Sequence, residues 1–139
     1  WLLWKEELSK YNSPSTHLKF FKSVQKHKRV LKDLILNLSD MKKKVIGYGA
    51  STKGNVILQY CGINSKNIKF IADVNKDKNG KYTPGSLIKI MSEKEIKKYK
   101  PDYMLVLPWH FKNFIIQKEK NYLNEGGKLI FPLPDIEIV

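Results

Sequence analysis

A chain of 139 residues, 42% of them hydrophobic and 12% aromatic, is long enough to bury one core unaided and too apolar to stay disordered. Its formal charge of +13 raises nucleic-acid binding, but among 26 basic residues Arg29 alone is arginine, whereas phosphate and base recognition favour arginine's planar fork. The charge therefore reads as a solvated lysine surface, attractive to an anionic ligand such as a nucleotide diphosphate, with no nucleic-acid partner expected.

The chain opens on Trp1 rather than Met, so a fragment of a longer protein is expected, and WLLWKEEL is too short and too acidic for a signal peptide. Residues 1–12 read as a short helix or a tail. Ser13 followed by Pro14 is a helix start, a capping side chain and then a first-turn proline. Beyond it Phe21, Val24, Leu31, Ile35 and Leu38 recur at spacings of three, four and seven. That predicts one apolar stripe on a helix over about residues 15–39, with Lys19, Lys22, Lys26, Arg29 and Lys32 on its other faces. Such a helix packs on the domain, connects it to an upstream one, or does both.

After Asp40 the apolar runs become short. Residues 44–48 (KVIGY) read as a buried strand, 51–61 as a helix stopped by Gly62, and 68–74 (IKFIADV) as a second strand. A polar loop follows over 75–85, then an extended segment over 87–90. Ser92 with Glu95 is a capping box opening a helix to Tyr99, and Pro101 ends it. Residues 103–107 (YMLVL) are a third strand, 111–124 a helix stopped by Gly126-Gly127, and 128–131 a fourth strand. Strands alternating with helices at this spacing imply right-handed crossovers, hence a Rossmann-like α/β fold with a mainly parallel sheet, helices on both faces and a long N-terminal helix. No apolar run nears the roughly 18 residues of a membrane helix, so no membrane partner is expected. The single cysteine, Cys61, excludes an internal disulfide and suits the cytoplasm. One cysteine and three scattered histidines fit no metal spacing.

Ligands of such sheets bind beyond the carboxyl ends of the strands. The first strand-end loop, Tyr48-Gly49-Ala50-Ser51, runs into Lys53, Gly54 and Asn55, where the first-turn amides of a helix and a lysine converge on a place for an anion. It matches neither familiar phosphate motif. A dinucleotide fingerprint wants a third glycine or alanine at Thr52, and a Walker loop wants Gly-Lys-Ser/Thr where this chain has Lys53-Gly54-Asn55. Asp73 ends the second strand, either accepting ribose hydroxyls or turning the chain. Lys81, Pro84 and Gly85 belong to a loop that is a flap over the ligand or a plain turn. Trp109 and His110 follow the third strand. Trp109 either stacks on a base or sugar or packs into the domain; His110 hydrogen-bonds, shuttles a proton as the one catalytic candidate, or caps the next helix. No nucleophile triad or carboxylate pair accompanies them.

The segments VIGYGASTKGNVILQYCGI (45–63), FIADVNKDKNGKYTPGSLIKI (70–90), KPDYMLVLPWHF (100–111) and GGKLIFPLP (126–134) together resemble the C-terminal domain of the S-adenosylmethionine-dependent sugar C-methyltransferases, which methylate a carbon of nucleotide-linked deoxysugars. The resemblance implies a modular parent: a cysteine-rich domain holding structural zinc, a central domain binding S-adenosylmethionine and carrying the catalytic base, then this one. Residues 1–40 would then be a helical segment leading to that upstream domain, and 41–139 a Rossmann-like domain holding the nucleotide-linked sugar, with no cofactor of its own and no turnover alone. Where the family tends to carry Trp-Asn-Phe this chain has Trp109-His110-Phe111, a departure that bears on the sugar accepted. A stand-alone module binding a nucleotide or nucleotide sugar is the alternative, and a basic nucleic-acid-binding domain stands behind both.

Overall fold

Helix boundaries here follow from short-range chemistry. In the computed structural model, which describes residues 2–8 and 13–139, α1 spans Leu2–Leu8 and α2 spans Pro14–Asp40. The helix or tail expected over 1–12 is thus helical at Leu2–Leu8, while positions 1 and 9–12 lie outside the described residues. Ser13 stands extended before α2, and its Oγ accepts the Thr16 N–H at 3.2 Å while Pro14 occupies the first turn. Strand β1 (Val45–Tyr48) leads into α3 (Thr52–Cys61), which Gly62 closes in the left-handed conformation at φ 65°. Then come β2 (Phe70–Asp73), a 3-10 turn at Lys76–Lys78, β3 (Lys89–Ser92) and α4 (Glu93–Tyr99). The capping box at α4 is formed: Glu95 N–H donates to Ser92 Oγ at 3.4 Å and Ser92 N–H to the Glu95 carboxylate at 3.1 Å. The chain ends through β4 (Tyr103–Val106), a 3-10 turn at Trp109–Phe111, α5 (Lys112–Lys118), α6 (Lys120–Asn124), β5 (Lys128–Phe131) and β6 (Glu137–Ile138).

The strands form one six-stranded sheet in the order β3-β2-β1-β4-β5-β6, the first five parallel and β6 antiparallel to β5. Successive side chains of a strand face opposite ways, and each face needs its own cover. Val45, Ile71, Leu105 and Ile130 pack beneath α2 and α3, while Ile46, Ala72, Met104 and Leu129 pack against α4 and α5. This is the Rossmann-like, mainly parallel sheet with helices on both faces that the strand–helix alternation predicts. Among the described residues no helix is long and apolar enough to cross a membrane.

Four local expectations are corrected. The extended segment at 87–90 is a full strand two residues later, β3, recruited by parallel pairing of Lys89–Ser92 with β2. The helix over 111–124 begins as a 3-10 turn and breaks at Glu119, whose carboxylate is buried and held by Tyr48. Strand β6 adds an antiparallel edge. Finally, the apolar stripe of α2 is seated only in its second half: Leu31, Ile35 and Leu38 are buried, Val24 is half-buried and Phe21 is 56% exposed. The reason is length. A helix of 27 residues runs roughly 40 Å, whereas strands of four residues run roughly 13 Å, so the first half overhangs the sheet.

Candidate functional site

The sheet order fixes where ligands can approach. From β1 the chain crosses to β2 and β3 on one side and returns to β4 on the other, so the loops after β1 and β4 part at the carboxyl edge. Gly49 lies between them at φ 79°, and a Cβ there would sit 2.7 Å from the Pro108 ring. Only glycine lets the two loops touch at this point. Two cavities open along this edge, and the Gly49–Pro108 contact belongs to the wall of one of them.

The loop after β1 is pinned from β2. Asp73 is buried, and its Oδ2 accepts the Ala50 N–H at 2.8 Å while its Oδ1 accepts that of Asn75 at 2.8 Å. The Lys78 ammonium, from the turn after β2, donates to the Ala50 carbonyl at 2.9 Å and to Asp73 Oδ2 at 3.2 Å. Three donors from its own chain thus occupy Asp73. Ser51 caps α3, its Oγ accepting the Gly54 N–H at 3.0 Å. Gly54 is buried: a Cβ on it would lie 2.5 Å from Leu107 Cβ. It supplies the close helix–strand approach that a dinucleotide fingerprint assigns to its third glycine, two positions later than Thr52. Helix α3 therefore presents its first turn at the edge with the Thr52 and Lys53 amides lacking an intrahelical partner, and the Lys53 side chain exposed beside them.

The first cavity, of about 410 Å³, opens on the α3 side between Ala50, Ser51, Thr52 and Asn55 and the loop carrying Lys78, Lys81, Tyr82 and Pro84. That loop is fastened rather than loose. Gln59 of α3 donates to the Pro84 carbonyl at 3.0 Å, Gly85 turns at φ 73° against the Gln59 side chain, and buried Thr83 accepts the Ile88 N–H at 2.9 Å. Asn55 Oδ1, at this cavity, is buried with no hydrogen-bond partner among the described residues.

The second cavity, of about 140 Å³, lies on the α5 side, with Val74, Pro108, Phe111 and Phe114 as apolar walls and Tyr48, Gly49 and Asp73 also lining it. A polar network closes it. Lys118 pairs with Glu93 at 2.7 Å and stands 5.3 Å from the centre of the Tyr48 ring, while Tyr48 OH donates to Glu119 Oε1 at 2.8 Å. Burial, and then the Glu119 carboxylate, push the Tyr48 phenol far above its ordinary range.

Of the residues singled out in the sequence, Tyr48, Gly49, Ala50, Ser51, Asn55, Asp73, Lys81 and Pro84 line one cavity or the other. Lys53, Gly54 and Gly85 adjoin them. Trp109 is half-buried and packs against both core clusters, and His110 is exposed with its ring 4.3 Å from that of Phe111; neither lines either of these two cavities. Their loop contributes Pro108 and Phe111 instead. Lys78, Glu93, Lys118 and Glu119 escape sequence reading, because nothing local sets them apart from the many other charged residues. The described residues hold no group of three His, Cys, Asp or Glu side chains able to grip a metal ion.

The model of the C-methyltransferase C-terminal domain family matches residues 1–134. A similar protein, the C-methyltransferase NovU of Streptomyces niveus, is 38% identical over 109 residues, 78% of this chain and 26% of that protein. The chain thus spans about a quarter of that relative's length.

Proposed function

The chain belongs to the C-methyltransferase C-terminal domain family, and from that premise we propose that it is the substrate-holding part of an S-adenosylmethionine-dependent enzyme that methylates a carbon of a nucleotide-linked deoxysugar. The observation that carries the reading is a helix N-terminus whose Thr52 and Lys53 amides have no intrahelical partner, with the Lys53 side chain beside it and a cavity against its first turn. A diphosphate suits the amides of Thr52 and Lys53 and the lysine charge. The first cavity suits a sugar, whose hydroxyls would meet the polar side chains of Ser51, Thr52 and Lys81 in its lining. The apolar slot suits a planar base between Val74 and Phe111. Asp73 keeps one acceptor position for a ribose hydroxyl beyond the donors it already holds.

In this reading the methyl group comes from S-adenosylmethionine bound by the upstream part of the enzyme, together with the structural zinc and the catalytic base. This domain's own residues bind and orient, and alone it turns nothing over. His110, exposed after β4, is the one residue of this domain that remains a candidate for proton transfer in this reading. A cytoplasmic setting suits the buried free thiol of Cys61.

The test is calorimetric titration of a thymidine-diphosphate sugar into the domain and into the full-length enzyme, each as wild type, Lys53→Ala and Asn55→Ala. Each substitution is expected to weaken binding by about 1–3 kcal/mol. Wild-type binding left unchanged by both would place the ligand elsewhere.

A further inference from the structure

The overhanging half of α2 is apolar where it should be wet. Leu18, Phe20 and Phe21 are 52%, 71% and 56% exposed, and Val56 of α3 is 64% exposed. Phe20, Val24, His27, Val56, Tyr60 and Leu133 line a groove of about 460 Å³ between α2, α3 and the turn after β5. The groove is held in shape: Gln25 donates to Tyr60 OH at 3.1 Å, and the His27 imidazole hydrogen-bonds the Pro132 carbonyl. Its basic flank carries Lys22, Lys26, Lys28 and Arg29. A shaped apolar surface of this kind marks a contact with another polypeptide.

We propose that this groove and the first turns of α2 dock the part of the C-methyltransferase chain that precedes this domain, through an apolar surface edged with carboxylates. The proposal rests on family membership and not on the nucleotide-sugar reading. The matched family is a C-terminal domain, and these residues span only 26% of the length of the relative they match, so most of such an enzyme lies before them. Helix α2 is the element through which that preceding chain reaches the sheet. A second copy is the poorer occupant, because two chains of charge +13 meeting across lysine-lined helices repel. An acidic-edged partner turns the same lysines into attraction.

Zero-length carbodiimide cross-linking of the full-length enzyme tests this, with isotopically heavy and light copies mixed and the products read by mass spectrometry. Lys22 or Lys26 is expected to link to upstream carboxylates of the same copy. Phe20→Glu combined with Val56→Glu is expected to cut those links at least fivefold; both positions are exposed, and hydrogen exchange of β1 and β4 checks that the domain stays folded. Links in which heavy–light pairs reach the share expected for random pairing would make a second copy the occupant and overturn the proposal. So would no links from these lysines, or links unaffected by the double variant.

Discussion

Replacing Gly54 with alanine sets two effects against each other at the heart of the site. Gly54 lies within α3, where alanine gains roughly 1 kcal/mol of helix propensity. Against this, the new Cβ would stand 2.5 Å from Leu107 Cβ and 3.1 Å from Leu107 Cδ1, where carbons ordinarily rest about 3.5–4.0 Å apart. Both Cβ atoms are fixed to their backbones, so no rotamer relieves the clash, and α3 must back away from the end of β4 by about 1 Å. Overpacking of this kind costs about 1–3 kcal/mol. The net expectation is a loss of up to about 2 kcal/mol, the steric term exceeding the propensity gain. The displacement also carries away Ser51, Asn55 and the first-turn amides, so nucleotide-sugar affinity falls together with stability. Urea denaturation followed by circular dichroism measures the first effect, and calorimetry of the folded variant the second. A Gly54→Ala protein as stable as wild type, or more so, would show that helix and strand do not need this close approach.

Two further perturbations probe the supports. Asp73→Ala strands the Ala50 N–H and releases Lys78, and is expected to cost about 1–3 kcal/mol; an unchanged melting midpoint would mean that the loop after β1 holds itself. Tyr122 is half-buried against the Lys128 backbone, and burial pushes its phenol up from 10.0 to about 12. A raised acid contributes stability that is complete below pH 10.0 and lost as pH rises through about 12. Tyr122→Phe should therefore lose less stability than wild type over that interval, and parallel pH profiles from denaturant melts would refute the argument.

What the sequence alone determined about this protein is what travels over a few residues. Ser13, Ser51 and the Ser92–Glu95 pair act on amides within a turn, Gly62 needs only its own φ, and the alternation of short apolar runs with helical segments dictates the Rossmann-like class. The edge that carries the candidate site was legible for the same reason, since strand-end loops gather at one edge once the crossovers are right-handed. How that edge is shaped and held depends instead on contacts that no local pattern encodes. The touch of Gly49 on Pro108, the approach of Gly54 to Leu107 and the clasp of Asp73 and Lys78 on Ala50 each join residues far apart in the chain. The last helix breaks at Glu119, the residue whose carboxylate meets Tyr48 across 71 positions. The stripe on α2 has the same period in both halves, yet only the half above the sheet is buried. Periodicity tells which side of a helix is apolar; the reach of four-residue strands decides how much of it finds a partner.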